Sequence, residues 1–317
     1  MLDFNLFCFV FSPSRLRLPS HPEIFDMFQR PLICTDFTDG LHRLVQFVPS
    51  LAEAGIQQIT FLHVVPLWEE GDIPRIDIDK INAARDRLTA ALPQTNGVAV
   101  KIEVESGRPQ DTILKVAQTV NADVILLGTP IRSLLNEKLF GSTSAELCQR
   151  ATVPLMSLRP QLIATYTAEE LNLRCRHLFH HLLLPYNDDA SSQYLVDRIR
   201  HYAQTQTEPG LEACTLCWVV DEGGRHRLPL EQQVQQAQSK LTAIQADLTA
   251  LKLQVSVEIP QGTPLLELLN VAGQANISAI ALSSTSFGKL REWSVPSFAG
   301  EVLRRSWHPV IFFPKIG

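Results

Sequence analysis

The sequence predicts an α/β protein built as two tandem domains, each a five-stranded parallel sheet with helices on both faces. Three observations carry this expectation. Buried-strand runs alternate with helical stripes along the chain, an order that requires a parallel sheet covered on both sides. The segment Gly107 to Pro154 returns as Gly262 to Pro309 at a constant offset of 155 residues without a gap, and 14 of its 48 positions are identical. Gly107/Gly262, Pro109/Pro264, Asn121/Asn276, Glu146/Glu301 and Arg150/Arg305 are among these pairs. The length of 317 residues suits two domains with a core each. A period this long marks a duplicated domain rather than a solenoid, whose units span about 20 to 50 residues.

The first copy opens with a short apolar strand at Pro31 to Thr35. A helical stripe follows at Leu41, Leu44, Val45, Val48, Leu51 and Ala52, which Pro49 is expected to weaken or kink. A strand at 59–65, a helix through Ile81, Ala84, Leu88 and Ala91, and an alternating strand at Val98, Val100, Ile102 and Val104 complete a βαβαβ order. After Gly107 and Pro109 a helix leads to the strand at 123–128, and a helix from about Ser142 precedes the strand at 153–158. The second copy runs from Leu182 to Phe313, with strands at 182–185, about 213–220, 253–259, 278–283 and 309–313 and a Gln-rich helix at about 230–251.

These patterns place a first domain at 27–160, a linker at 161–176 and a second domain at 177–317. In the linker Thr167 is expected to cap a short helix. Residues 1–26 lack periodicity and are rich in Ser and Pro in their second half, so they read as a disordered extension. Met27 stands directly before the first strand, which makes it the expected point where translation begins.

Composition narrows the classes of function. A net charge of −5 with 19% charged residues and no basic block disfavours nucleic acid as a partner. No apolar run approaches the length of a bilayer span. The six cysteines are scattered and mostly lie within apolar segments, as expected of a reducing cytoplasm.

In an open parallel sheet, ligands bind beyond the carboxyl ends of the strands, where strand order reverses. Two segments of the first copy meet that condition. Asp36 stands just past the first strand and can accept hydrogen bonds from a sugar or base. Gly128 ends the fourth strand, and Gly141 with Ser142 opens the next helix, whose N-terminal amides suit an anion. Turn chemistry at strand and helix ends explains the same glycines equally well.

Together with the duplicated strand pattern, residues 62–65 (LHVV) and Gly107-x-Pro109, these elements resemble the universal stress protein family in its tandem two-domain form, over about residues 27–315. The resemblance implies Rossmann-like, adenine nucleotide alpha hydrolase-like domains with strand order 3-2-1-4-5. It assigns Gly128, Gly141 and Ser142 to the phosphates of ATP or another adenine nucleotide, with Mg or Mn, and Asp36 to the nucleoside end. Ile131 departs from the family pattern, because it occupies the second glycine position of the motif. In the second copy Ser283, Ser286 and Pro296 replace the three motif positions, Ser297 persists, and Asn187 takes the place of Asp36. Proline at 296 removes a backbone donor from the phosphate end, so this domain is expected to be largely structural. The resemblance further implies pairing of the two final strands, 153–158 against 309–313, within one chain, where the tether raises effective concentration. Association of two chains as a homodimer stays open.

Other signals are read as structural. Residues 283–290 end in Gly288-Lys289 but lack the first glycine and the Ser/Thr of a phosphate-binding loop. Cys214 and Cys217 are three apart in a strand, on opposite faces, and cannot share a metal. His177, His180 and His181 read as a polar strand entrance, His63 as a core histidine, and Arg132 and Lys138 either as solvated loop charges or as partners for phosphate charge. No nucleophile elbow is visible. The resemblance implies a stress-response or regulatory binding module rather than an enzyme. A slow ATPase and a nucleotide-free scaffold for an unknown protein partner are the competing readings.

Overall fold

A computed structural model describes residues 28–67, 75–95, 97–129, 142–164, 167–206, 210–221, 229–283 and 298–314. The extension at 1–26, Met27, Ile131, Arg132, Lys138, Gly141, Ser286, the Gly288-Lys289 pair, Pro296 and Ser297 lie outside them. The N-terminal half contributes β1 (Pro31–Cys34), β2 (Gln58–Val65), β3 (Ala99–Ser106), β4 (Val124–Gly128) and β5 (Leu155–Leu158). The C-terminal half contributes β6 (His181–Pro185), β7 (Ala213–Cys217), β8 (Gln254–Glu258), β9 (Ala279–Ser283) and β10 (Val310–Phe313).

All ten strands form one sheet, in the order β3-β2-β1-β4-β5-β10-β9-β6-β7-β8. Each half has the expected order 3-2-1-4-5, and within each half the neighbours are parallel. The halves join where β10 runs antiparallel to β5, with Val310 opposite Ser157, Ile311 opposite Met156 and Phe312 opposite Leu155. The expected pairing of final strands is thus realised within the chain, and the join converts two edges into interior strands.

The helices are α1 (Val48–Glu53), α2 (Ile78–Ala90), α3 (Pro109–Thr119), α4 (Ser142–Arg150), α5 (Pro160–Ile163), α6 (Ala168–Arg176), α7 (Ala190–Thr205), α8 (Leu230–Ala250), α9 (Pro264–Gln274) and α10 (Phe298–Arg305). They cover both faces of the sheet, over two cores. One core holds Ile33, Phe61, Leu126, Leu184, Cys214 and Phe313; the other holds Leu32, Leu62, Leu127, Leu183, Cys217 and Phe312. Alternate strand residues therefore face opposite layers. Cys214 and Cys217 lie in different cores, and burial pushes both thiols up to about 12, which disfavours the thiolate at neutral pH.

Two local departures have simple causes. The stripe at 41–52 begins as a 3-10 segment, Leu41–Phe47, and becomes α-helical only at Val48, with Pro49 in the first turn where its missing N–H costs nothing. The strand expected at about 213–220 stops at Cys217 and resumes as a single bridge between Val220 and Gln261. In the linker, the Thr167 hydroxyl accepts a hydrogen bond from the Glu170 N–H at 3.2 Å and caps α6.

The duplication is visible in backbone detail. Gly97 and Lys252, Gly107 and Gly262, and Asn121 and Asn276 share positive φ at the repeat offset. The repeated Glu and Arg pairs form the same exposed ion pair, Arg150 with Glu146 at 2.6 Å and Arg305 with Glu301 at 3.0 Å. Among the described residues no helix is long and apolar enough to cross a membrane.

Candidate functional site

In each half the sheet's strand order turns around its first strand: β1 lies between β2 and β4, and β6 between β7 and β9. The carboxyl ends of these strands form two switch points, where an α/β sheet leaves a crevice.

At the N-terminal switch point β1 runs into Thr35, Asp36, Phe37, Thr38 and Asp39. Phe37 has φ 65°, a left-handed turn made tolerable by the hydrogen bonds on either side of it. Oδ1 of Asp36 accepts from the Thr38 N–H at 2.8 Å, the Thr38 hydroxyl at 2.8 Å and the Asp39 N–H at 2.9 Å. Asp36 itself is exposed, at the rim. Asp39 is only 5% exposed, and its Oδ1 accepts from the Thr35 hydroxyl and the Leu41 N–H, each at 2.9 Å. Burial, and then the neighbouring negative charge of Asp36, push the Asp39 carboxyl up to about 6.

Gly128, at the end of β4, meets Asp39 directly. A Cβ at Gly128 would stand 2.3 Å from the Asp39 Cβ and 2.6 Å from its Oδ2. The glycine is therefore required by a buried carboxylate, a reason that turn geometry and phosphate binding both leave out. Ser142 begins α4, as expected, while Gly141 before it lies outside the described residues.

The structure adds residues that the sequence reading did not place at this site. His63 on β2, read as a core histidine, is half-buried and lies 2.8 Å through Nδ1 from the Thr35 carbonyl. A carbonyl only accepts, so Nδ1 carries the proton and, in the neutral ring, Nε2 is the acceptor. The His63 and Phe37 rings lie 4.6 Å apart, and the Arg87 guanidinium from α2 sits 4.3 Å over the Phe37 ring. Nothing in the sequence singles out Asp39 or links Arg87 to Phe37.

The C-terminal switch point keeps the backbone and changes the side chains. Leu32 and Leu183 pair with Ile125 and Ile280 respectively, so Asp36 corresponds to Asn187 and Asp39 to Ala190. Asp188 repeats the positive φ of Phe37, at 64°. The Asp189 Oδ1 accepts from the Ser191 and Ser192 N–H groups at 2.9 Å and 2.7 Å, which caps α7. Ser283 stands where Gly128 does, and its buried hydroxyl meets that of Ser191. Beyond the ends of β6, β7 and β9 lies a cavity of about 710 Å³.

Two other histidines have local partners. His180 Nε2 is 3.1 Å from Glu212, and His181 Nε2 is 2.8 Å from the Thr215 hydroxyl. Among the described residues no group of three or more His, Cys, Asp or Glu side chains is placed to hold a metal ion.

Fold and switch points define a doubly wound α/β protein with two copies of one crevice-forming module. Residues 27–159 match the universal stress protein family model, so this segment of the chain is similar to a universal stress protein domain. A universal stress protein of Methanocaldococcus jannaschii is 21% identical over 158 residues, covering 42% of this chain and 96% of the relative. The crystal structure of a universal stress protein from Archaeoglobus fulgidus aligns with a TM-score of 0.62 at 19% identity, over 92% of this chain and 98% of that one. A Pseudomonas aeruginosa structure assigned to the same family aligns with a TM-score of 0.53 at 13% identity, over 90% and 93% of the two chains. These two alignments extend the likeness of fold across both halves.

Proposed function

We propose that the chain is a stress-response regulatory protein that binds ATP or another adenine nucleotide at its N-terminal switch point. The supporting observation is the contiguity of Asp36, Asp39 and Gly128. The Asp36 N–H lies 3.4 Å from Asp39 Oδ2, and the Asp39 carboxylate covers Gly128. The nucleoside-binding candidate at the rim and the strand end that opens the phosphate loop thus share one junction.

In this reading Asp36, which accepts from Thr38 and Asp39 through Oδ1, receives a sugar hydroxyl or base amine. Gly141, Ser142 and the first amides of α4 take the phosphates, favoured by the helix dipole. A magnesium or manganese ion would arrive with the phosphates as their counter-ion. Hydrolysis would further need a positioned nucleophile. A nucleotide-free scaffold is the second reading, favoured by Ile131 in place of a motif glycine.

The test is calorimetric titration of the chain with MgATP, MgADP, AMP and cyclic AMP. Saturable binding of at least one of them, weakened by Asp36→Ala, supports the reading. A flat titration at millimolar nucleotide with folded protein contradicts it and favours the scaffold.

A further inference from the structure

A second cavity, of about 240 Å³, lies where the two halves meet. Its apolar walls come from both halves and the linker: Leu44 and Leu51 beside and within α1, Leu158 at the end of β5, Leu171 on α6, and Ile277 and Pro309 just before β9 and β10. Every lining residue is among those described, and the undescribed positions next along the chain, Thr165 and Tyr166 beyond Ile163, carry no charge. The polar edge of the cavity holds Arg174, His177 and His308, and no carboxylate is among its lining residues. Arg174 donates from Nε and Nη2 to Glu170 Oε1, at 3.1 Å and 2.7 Å, and neither contact uses Nη1. Both partners of that pair are exposed, so solvent screens it. Burial, then the Arg174 charge, hold His308 below its usual range, which leaves the guanidinium as the positive charge of this edge at neutral pH.

The volume falls short of the roughly 300–1,000 Å³ of pockets for larger ligands. At the roughly 30 Å³ that a water-sized group takes in a liquid, it holds about eight such groups. A short alkyl chain fits that space, and a nucleotide does not. The leucine walls favour the chain by taking it out of water. The planar guanidinium at the edge matches a carboxylate in charge and in geometry. We propose that this cavity binds a medium-chain carboxylate, with its alkyl tail among the leucines and its head at Arg174. A ligand seated there touches both halves and the helix that joins them. The site is separate from the N-terminal nucleotide site and does not depend on it.

Octanoate, hexanoate and octan-1-ol separate the two parts of this chemistry, in titrations of the full chain followed by ligand-detected saturation-transfer NMR. Octanoate should bind about sixteen-fold more tightly than hexanoate, at about four-fold for each methylene buried. It should bind about five-fold more tightly than octan-1-ol, an effect at the upper end for an exposed ion pair. Arg174→Gln disturbs only the exposed pair with Glu170, so its circular dichroism should match the wild type. That variant should weaken octanoate about five-fold and leave octan-1-ol unchanged. Leu173 lines the cavity from the exposed side of α6, and Leu173→Glu should likewise weaken octanoate more than octan-1-ol, through like-charge repulsion. Equal affinity for octanoate and hexanoate, or for octanoate and octan-1-ol, overturns the proposal, as does the absence of transfer from octanoate at millimolar concentration. Octanoate binding unaffected by Arg174→Gln, or both ligands weakened alike by it, also overturns it.

Discussion

Asp39 against Gly128 in one half, and Ser191 against Ser283 in the other, occupy the same junction between the first and fourth strands. The N-terminal junction buries a carboxylate and pairs it with the residue that has no side chain. The C-terminal junction buries two hydroxyls and moves its capping carboxylate out to the exposed Asp189. Both close the gap between strands, and they leave different chemistry at the crevice above. The comparison teaches that the backbone of a duplicated domain is kept by β pairing and positive-φ turns, while the junction residues change together. Gly128, read from the sequence as a phosphate signal or a turn residue, is also half of a packing pair.

Replacing one member of that pair should give the largest effect. Gly128→Ser puts a side chain into Asp39 and should destabilise the fold by about 1–3 kcal/mol, as overpacked cores do. Adding Asp39→Ala, which removes the side chain that the new serine would meet, should recover part of that loss. Urea midpoints of the two single variants and the double variant measure the coupling. Strict additivity would break the account of the pair.

A second contrast lies in pH dependence. Asp39 is pushed up to about 6, and Asp123, which accepts from the Gln29 and Arg30 N–H groups, up to about 7, in both cases chiefly by burial. The folded state therefore holds these protons more tightly than the unfolded chain, whose carboxylates titrate near pH 4. Each group contributes stability at low pH that is lost as pH rises through its folded value. At the repeat positions the C-terminal half has Ala190 and Ser278, neither of which titrates. Asp39→Asn should match the wild type near pH 4 and become relatively more stable as pH rises to 6, in thermal melts across that interval. A constant difference between the two proteins would show that Asp39 is not a buried acid.

The smallest effect concerns the connection between the halves. Thr167→Ala removes the α6 cap and should cost about 1 kcal/mol, read as a shift in urea midpoint. It should leave nucleotide titration unchanged, since α6 packs against α1 and the Leu41–Phe47 segment.

Much of the fold was legible because strands such as 123–128 and 278–283 are continuous apolar runs, and because the repeat aligned one half on the other. The 3-10 start of the helix at Leu41 was not, since its apolar spacing suits either helix type. The candidate site was legible only where its residues are near in sequence to strand ends, as Asp36 and Gly128 are. Asp39 lies several residues past the end of β1, and only the approach of β4 shows it to be buried. Arg87 reaches Phe37 across a separation that no local pattern spans. The C-terminal cavity was hidden for the opposite reason: substitutions at the motif positions suggested a lost site, while the strand geometry that makes the crevice is intact.

The most direct test of a nucleotide site confined to the N-terminal half compares Asp36→Ala with Asn187→Ala, its counterpart across the repeat. In thermal unfolding, MgATP at 100 times its dissociation constant should stabilise the wild type and Asn187→Ala by about 2.7 kcal/mol, and Asp36→Ala clearly less. Loss of the shift in Asn187→Ala with its retention in Asp36→Ala would place the nucleotide in the other half and contradict the account.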